Sequence, residues 1–205
     1  LINRIKHRLY DSGEFRPEEE SSFAPALCSR LDRNTSGLVT AAKTAAALRE
    51  VNQAIRSGSL HKIYRCVTAF PPPKSSDIIT AYHRKDSERN IVRISDEPTE
   101  GFKEIRTGYQ VLAQKGSLCL VEVTLYTGRT HQIRAHLAHV GAPVLGDGKY
   151  GNIAANKRFA IFRQALCAYA LRFDLPESSP LSYLNKAEIK APLPEFQERF
   201  FPDIK

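Results

Sequence analysis

The chain has 205 residues, of which 42% are apolar and 25% charged, with 11 Gly and 12 Pro. That is enough for one large globular domain or two small ones, and it excludes a disordered, collagen-like or coiled-coil chain. Thirty Lys and Arg against 22 Asp and Glu leave a net charge of +8, which favours a polyanion such as RNA or DNA as partner.

No run approaches the roughly 20 uncharged apolar residues of a membrane helix, and Leu1-Ile2-Asn3-Arg4 lacks the layout of a secretory signal. A soluble, cytoplasmic chain with no membrane partner is expected. Cys28, Cys66, Cys119 and Cys167 lie far apart with no Cys-x-x-Cys pair, so they are read as free thiols rather than a zinc knuckle or a disulfide framework. With no Met, the natural protein begins upstream of Leu1 or has lost its initiator, and an excised domain is expected.

Leu1, Ile2, Ile5 and Leu9 fall at helical spacing, with Gly13 as the stop. Residues 14–26 are acidic and carry Pro17 and Pro25, which reads as a surface loop. Leu38 to Ala42 is expected to be a short strand. Thr44 then caps a helix that sets Leu48, Val51 and Ile55 on one face and closes at Gly58. His61 to Phe70 reads as a strand ended by Pro71-Pro72-Pro73. Residues 74–101 are polar, with a short strand expected over Asn90 to Ile94. Ile105 to Ala113 and Ser117 to Tyr126 form a predicted hairpin around Gln114-Lys115-Gly116, followed by a helix from Thr130 to Val140 ending at Gly141. Strands over Leu166 to Leu175 and Tyr183 to Lys190 and a last helix opened by Pro194 complete the pattern.

Three constellations can carry chemistry. In Arg30-Leu31-Asp32-Arg33-Asn34-Thr35-Ser36-Gly37, Asp32 lies between two guanidiniums. Such an Asp commonly caps a turn beside a neighbouring Arg; alternatively, opposite charge within about 4 to 6 Å favours its ionised form, the form a nucleophilic carboxylate needs. In Thr127-Gly128-Arg129-Thr130-His131-Gln132-Ile133-Arg134, a helix start preceded by Gly and Arg suits an anion, with His131 and Arg134 adding positive potential; a capped helix with solvated charges gives the same pattern. His131, His136 and His139 lack an evident third ligand of another type, so no metal is expected. In Lys62-Ile63-Tyr64 a strand tyrosine stands next to a cation, as core packing or as a stacking platform for a base.

Their joint order is more informative than any one of them. The Arg30-to-Leu38 block, Lys62-x-Tyr64, Leu125-x-Thr127-Gly128-Arg129-Thr130-His131-Gln132-Ile133-Arg134-x-His136, Gly141-x-Pro143-Val144-x-Gly146-Asp147-x-x-Tyr150-Gly151 and Ala165-Leu166-x-Ala168-x-x-Leu171-x-Phe173 together resemble the RluA-type RNA pseudouridine synthases, from about Leu27 to Phe173. The resemblance implies one catalytic domain over 1–205, lacking an N-terminal part and with it the small S4 RNA-binding module of many relatives. It implies an α/β (α+β) fold, a mixed and mostly antiparallel sheet with flanking helices, in two lobes around a central catalytic cleft. Asp32 matches the catalytic aspartate, Arg30 the arginine that helps displace the target nucleotide, Tyr64 the tyrosine against the uracil, and Arg129 an arginine paired to the aspartate. Arg33, Lys62, Thr130, His131 and Arg134 are candidate substrate contacts. Ser29 and Cys167 stand where the family often has His.

The reaction so implied breaks a C–N glycosidic bond, turns the uracil and forms a C–C bond to its C5, with no change of oxidation state; no cofactor is expected. The expected substrate is structured RNA, bacterial large-subunit ribosomal RNA first and tRNA second, and the expected state a monomer. A noncatalytic RNA-binding or ribosome-assembly factor and an N-glycosylase are the alternatives.

Overall fold

The structure, a computed structural model, describes residues 1–18 and 23–204. In chain order the elements are α1 (Ile2–Asp11), β1 (Ala26–Leu27), β2 (Ser36–Gly37), β3 (Ala41–Ala42), α2 (Ala45–Ser57), β4 (Leu60–Thr68), β5 (Ser76–Asp86), β6 (Ile91–Ser95), β7 (Lys103–Lys115), β8 (Leu118–Leu125), α3 (Gln132–His139), α4 (Ile153–Arg158), β9 (Leu166–Phe173), β10 (Glu188–Lys190) and α5 (Glu195–Phe200). The mixed, mostly antiparallel α/β class expected from the sequence is the one observed.

The chain divides into two compact units. One comprises Leu1–Leu31, Val39–His61 and Arg172–Ile189. In it the Thr44 hydroxyl accepts the Ala47 N–H at 3.1 Å to open α2, and Gly58, at φ 78°, closes it in the left-handed conformation that favours glycine. Val51 and Ala54 are the buried positions of α2. Of the loop expected over 14–26, residues 19–22, including Glu19 and Glu20, lie outside the described residues. The strand expected over Tyr183 to Lys190 is shorter: Ser182–Leu184 is a turn of 3-10 helix, and only Glu188–Lys190 is extended.

The other unit comprises Asp32–Leu38, Lys62–Leu171 and Lys190–Lys205. Its sheet runs in the order β9-β4-β8-β7-β5-β6, with β4 to β8, β8 to β7, β7 to β5 and β5 to β6 antiparallel. Val67, Ala69, Leu118, Leu120, Leu145, Ala155, Ala165 and Phe201 form the main buried cluster. Complete removal of such side chains from water supplies about 25 cal/mol per Å² of apolar area, which is what seats α4 and α5 on the strands.

The hairpin read around Gly116 is β7 and β8, paired from Thr107–Leu125 to Lys115–Leu118, with Gly116 at φ 62°. Three corrections stand beside it. The polar stretch 74–101 holds an eleven-residue strand, β5, whose pattern of exposed and half-buried positions hides it from a search for apolar runs. Leu38 to Ala42 is not one strand, because Ser36–Gly37 pairs with β9 while Ala41–Ala42 pairs with β1. The sequence reading also missed α4, which Asn152 opens by accepting the Ala155 N–H at 2.9 Å.

Candidate active site

The turn that carries Asp32 is held at several points. Thr35 N–H bonds the Asp32 carbonyl at 3.0 Å, and Asn34 adopts φ 69°, a conformation Asn tolerates better than most residues. Ser36 and Gly37 then run parallel to Cys167 and Ala168 of β9, and Leu38 N–H donates to the Ala168 carbonyl at 2.9 Å. The Gln164 side-chain amide donates to the Arg33 carbonyl and to the Thr35 hydroxyl. The approach at Gly37 is so close that a Cβ there would lie 2.2 Å from the Ala168 carbonyl oxygen.

The second part of the site is the turn into α3. Buried Gln132 organises it: its carbonyl oxygen accepts the Arg129 N–H at 3.0 Å and the Thr127 hydroxyl at 2.9 Å, while its amide donates to the Arg106 carbonyl and the Thr107 hydroxyl. Unlike the solvated helix start considered from the sequence, Gln132 to Leu137 are all buried. Arg134 is therefore carried inward, 5% exposed.

Arg134 joins two carboxylates. Its Nε and Nη2 donate to the two oxygens of Asp147 at 2.6 and 2.9 Å, and its Nη1 donates to Asp32 Oδ2 at 3.1 Å. Asp147, 1% exposed, also accepts the N–H groups of Lys149 and Tyr150. Burial works against the Asp147 charge, but Arg134 and those N–H groups outweigh it and hold the carboxyl below its ordinary range. Burial likewise disfavours the Arg134 cation, and Asp147 and then Asp32 more than restore it.

The partner of Asp32 is thus Arg134 and not Arg129, a correction to the sequence reading. Arg129 is exposed at the turn; its backbone N–H is fixed by Gln132, and its guanidinium makes no ion pair among the described residues. The two arginines lie five residues apart, and only the inward-facing one can reach a carboxylate anchored from behind.

Tyr64 lies on β4 opposite Val123 and is 9% exposed. Burial, then the charge of Asp32, pushes its phenol up to about 12, so it is neutral at physiological pH. Lys62 is half-buried on the same strand, opposite Leu125. Arg33 and Thr130 are exposed, and the Thr130 carbonyl accepts from His83 Nε2 at 2.9 Å. His131 is half-buried with its Nδ1 2.8 Å from the Tyr150 hydroxyl. Arg30 belongs to the other compact unit and is exposed. His136 bonds the Thr107 hydroxyl and His139 bonds Asp96, and among the described residues no three His, Cys, Asp or Glu side chains cluster as a metal site.

A carboxylate with one oxygen on a fixed guanidinium and the other, Oδ1, without a protein hydrogen bond among the described residues can serve as nucleophile or base. The neutral phenol can stack on a ring or exchange a proton with it.

Comparison with known proteins decides the family. Residues 5–139, about two thirds of the chain, match the family model described as RNA pseudouridylate synthase. The chain belongs to that family. An uncharacterized RNA pseudouridine synthase of Chlorobaculum parvum is 34% identical, over 100% of this chain and 65% of its own length. Ribosomal large subunit pseudouridine synthase C of Vibrio cholerae is 32% identical, over 82% of this chain and 51% of its own. The chain spans between about half and two thirds of the length of these relatives. The solved structure of human RNA Pseudouridylate Synthase Domain Containing 1 superimposes with a TM-score of 0.69 at 25% identity, over 89% of this chain and 72% of that one. Asp147, Gln132, Tyr150 and Gln164 also build the site, and sequence reasoning assigned none of them a role. For Asp147 the signal is present, a lone carboxylate between Gly146 and Gly148 in the block that follows the one with the arginines.

Proposed function

We propose that this chain isomerises uridine to pseudouridine in structured RNA. Asp32 is the reacting carboxylate, Arg134 the cation that fixes it, and Tyr64 the ring that packs on uracil and passes a proton. The observation that carries this reading is the buried Arg134 holding Asp32 beside a neutral, buried Tyr64 in a chain of the pseudouridylate synthase family. The reaction breaks C1′–N1 and forms C1′–C5, with loss of the C5 hydrogen as a proton and gain of a proton at N1. A carboxylate can open it by attack at C1′, by addition to uracil C6 or by removing a proton from C2′.

A base inside folded RNA must first be extruded, at a cost of a few kcal/mol. Arg30, two residues before the carboxylate, supplies a cation for the vacated stack, and Arg33, Lys62, Arg129, Thr130 and His131 meet the flanking nucleotides. Large-subunit ribosomal RNA in the bacterial cytoplasm is the proposed substrate, in keeping with what the Vibrio cholerae relative is named for; tRNA is second, and the acting species is a monomer. The test is tritium release from RNA labelled at uridine C5, with ribosomal RNA and tRNA in parallel. Wild type should release tritium and Asp32→Asn should not. Release by neither, with salt-sensitive RNA binding retained, would overturn the catalytic reading in favour of a binding factor, and free uracil in the product would make the chain an N-glycosylase.

A further inference from the structure

Tyr150 occupies a junction that the proposed chemistry does not use. Its hydroxyl oxygen accepts the backbone N–H of Val92, on β6, at 2.8 Å. The same hydroxyl lies 2.8 Å from His131 Nδ1, and the two rings meet edge to face with centroids 5.7 Å apart. Its own ring lies under the Arg134 guanidinium, 5.4 Å from centroid to carbon. One side chain therefore touches the cation that fixes Asp32, the histidine at the start of α3, and the neighbouring hairpin.

Hydrogen-bond accounting sets the protonation of this junction. With Val92 N–H on one lone pair, the hydroxyl's single hydrogen is free to donate, and Nδ1 of His131 is the acceptor within reach. An acceptor at Nδ1 requires an imidazole whose proton is on Nε2. A protonated ring would turn this contact donor against donor unless the hydroxyl gave up its own bond.

We propose that Tyr150 is a positioning residue that holds His131 as the neutral Nε2–H tautomer, leaving Arg134 as the cation that sets the Asp32 carboxylate. This rests on the reading of Asp32 as the reacting group. The electrostatic surroundings agree: burial pushes the His131 ring down, Arg134 and Lys149 add to that, and Asp32 and Asp147 pull the other way. An imidazolium here would be a third cation beside Arg134 and Lys149. It would compete with Arg134 for Asp32 and make the carboxylate a weaker nucleophile. Neutral His131 avoids both effects, and Lys149 is drawn aside, its ammonium donating to the Asn90 carbonyl.

The test has two independent readouts, both on the full chain. Long-range proton–nitrogen NMR of protein labelled at histidine should show wild-type His131 with Nδ1 unprotonated and the ring titrating below the ordinary histidine range. Tyr150→Phe keeps the ring under Arg134 and removes the hydroxyl. It should raise the His131 titration by roughly half to one pH unit, the worth of one lost hydrogen bond. In tritium release at saturating RNA, the acid limb of kcat should move up by the same amount with KM changed less than about twofold. In a His131→Asn background the second substitution should leave the acid limb where it was. A wild-type His131 protonated at Nδ1, or a titration unmoved in Tyr150→Phe, overturns the proposal, and if that variant does not fold, the wild-type tautomer decides. The NMR readout needs no activity. A wild type without tritium release therefore refutes the pseudouridine synthase reading and leaves the Tyr150 assignment to the spectra.

Discussion

Asp147→Asn tests the electrostatic frame of the site, because it removes one charge while keeping the shape of a buried side chain. In the native protein the two oxygens receive four donors: Arg134 Nε and Nη2 at 2.6 and 2.9 Å, and the N–H groups of Lys149 and Tyr150 at 2.8 and 3.1 Å. An amide offers one oxygen, and its NH₂ must face either Arg134 Nε or, at the other position, Arg134 Nη2 together with the two backbone N–H groups, donor against donor. Arg134, 5% exposed, would keep only the more exposed Asp32 as counter-charge. Breaking a buried pair in this way costs about 3–5 kcal/mol. For a chain of this length that corresponds to a fall in Tm of about 6–20 °C. The effect depends on pH in a defined direction. Because the Asp147 carboxyl is held below its ordinary value, its contribution is complete above about pH 4 and is lost as pH falls through the native value, so wild type and variant converge in acid. Thermal and urea unfolding followed by circular dichroism at neutral and acid pH measures both. A variant that melts within about 2 °C of wild type at pH 7 would refute the claim that Asp147 anchors Arg134.

Arg134→Lys keeps a charge but cannot span Asp147 and Asp32 together; loss of one charge-assisted hydrogen bond to Asp32, worth about 1.5–3 kcal/mol, should lower kcat by about 10- to 150-fold in tritium release. Arg129→Ala should instead act on KM, and a larger kcat loss in Arg129→Ala than in Arg134→Lys would contradict the observed pairing. Gly37→Ala places a Cβ 2.2 Å from the Ala168 carbonyl oxygen at φ 104° and should destabilise the protein by at least about 2 kcal/mol in urea unfolding; an unchanged midpoint would argue against the close approach. Burial pushes His136 down to about 4, so the unfolded chain binds its proton first and stability should fall by about 3 kcal/mol as pH drops from about 6.5 to 4. His136→Asn, which keeps an acceptor or donor for Thr107, should flatten that dependence, and an equally steep decline in the variant would show that other groups cause it.

The legible parts of the sequence were those in which a local rule coincides with the tertiary outcome. Thr44 and Gly58 bound α2 because a cap hydroxyl and a left-handed terminus are local devices, and Gly116 marks its hairpin for the same reason. Strand β5 escaped because its inward positions carry Ala81 and His83 rather than an apolar series. The site was legible to the level of its motifs. Asp32, Tyr64 and the Arg129-to-Arg134 block were singled out as chemistry-bearing, but which arginine meets the carboxylate depends on the burial of a whole helix turn. The apolar spacing of Ile133, Leu137 and Val140 indicates one inward face, whereas α3 is covered on nearly every side, Arg134 included. The buried Arg134 charge is met by Asp147, thirteen residues on, and helical periodicity carries no trace of that partner.

On the proposed function, the short parallel pairing of Ser36 and Gly37 with β9 bears on how the chain and an RNA substrate divide the work of meeting. Functional loops usually belong to the least protected parts of a protein and open locally at little cost. Here the turn bearing Asp32 is sewn to β9 and tied again through Gln164, so it cannot open without unzipping backbone bonds to that strand. Its amides should exchange with solvent as slowly as those of the sheet itself. The carboxylate then behaves as a fixed post, and the rearrangement that brings C1′ within reach falls to the RNA, whose readiness to unstack a given nucleotide becomes part of how targets are chosen.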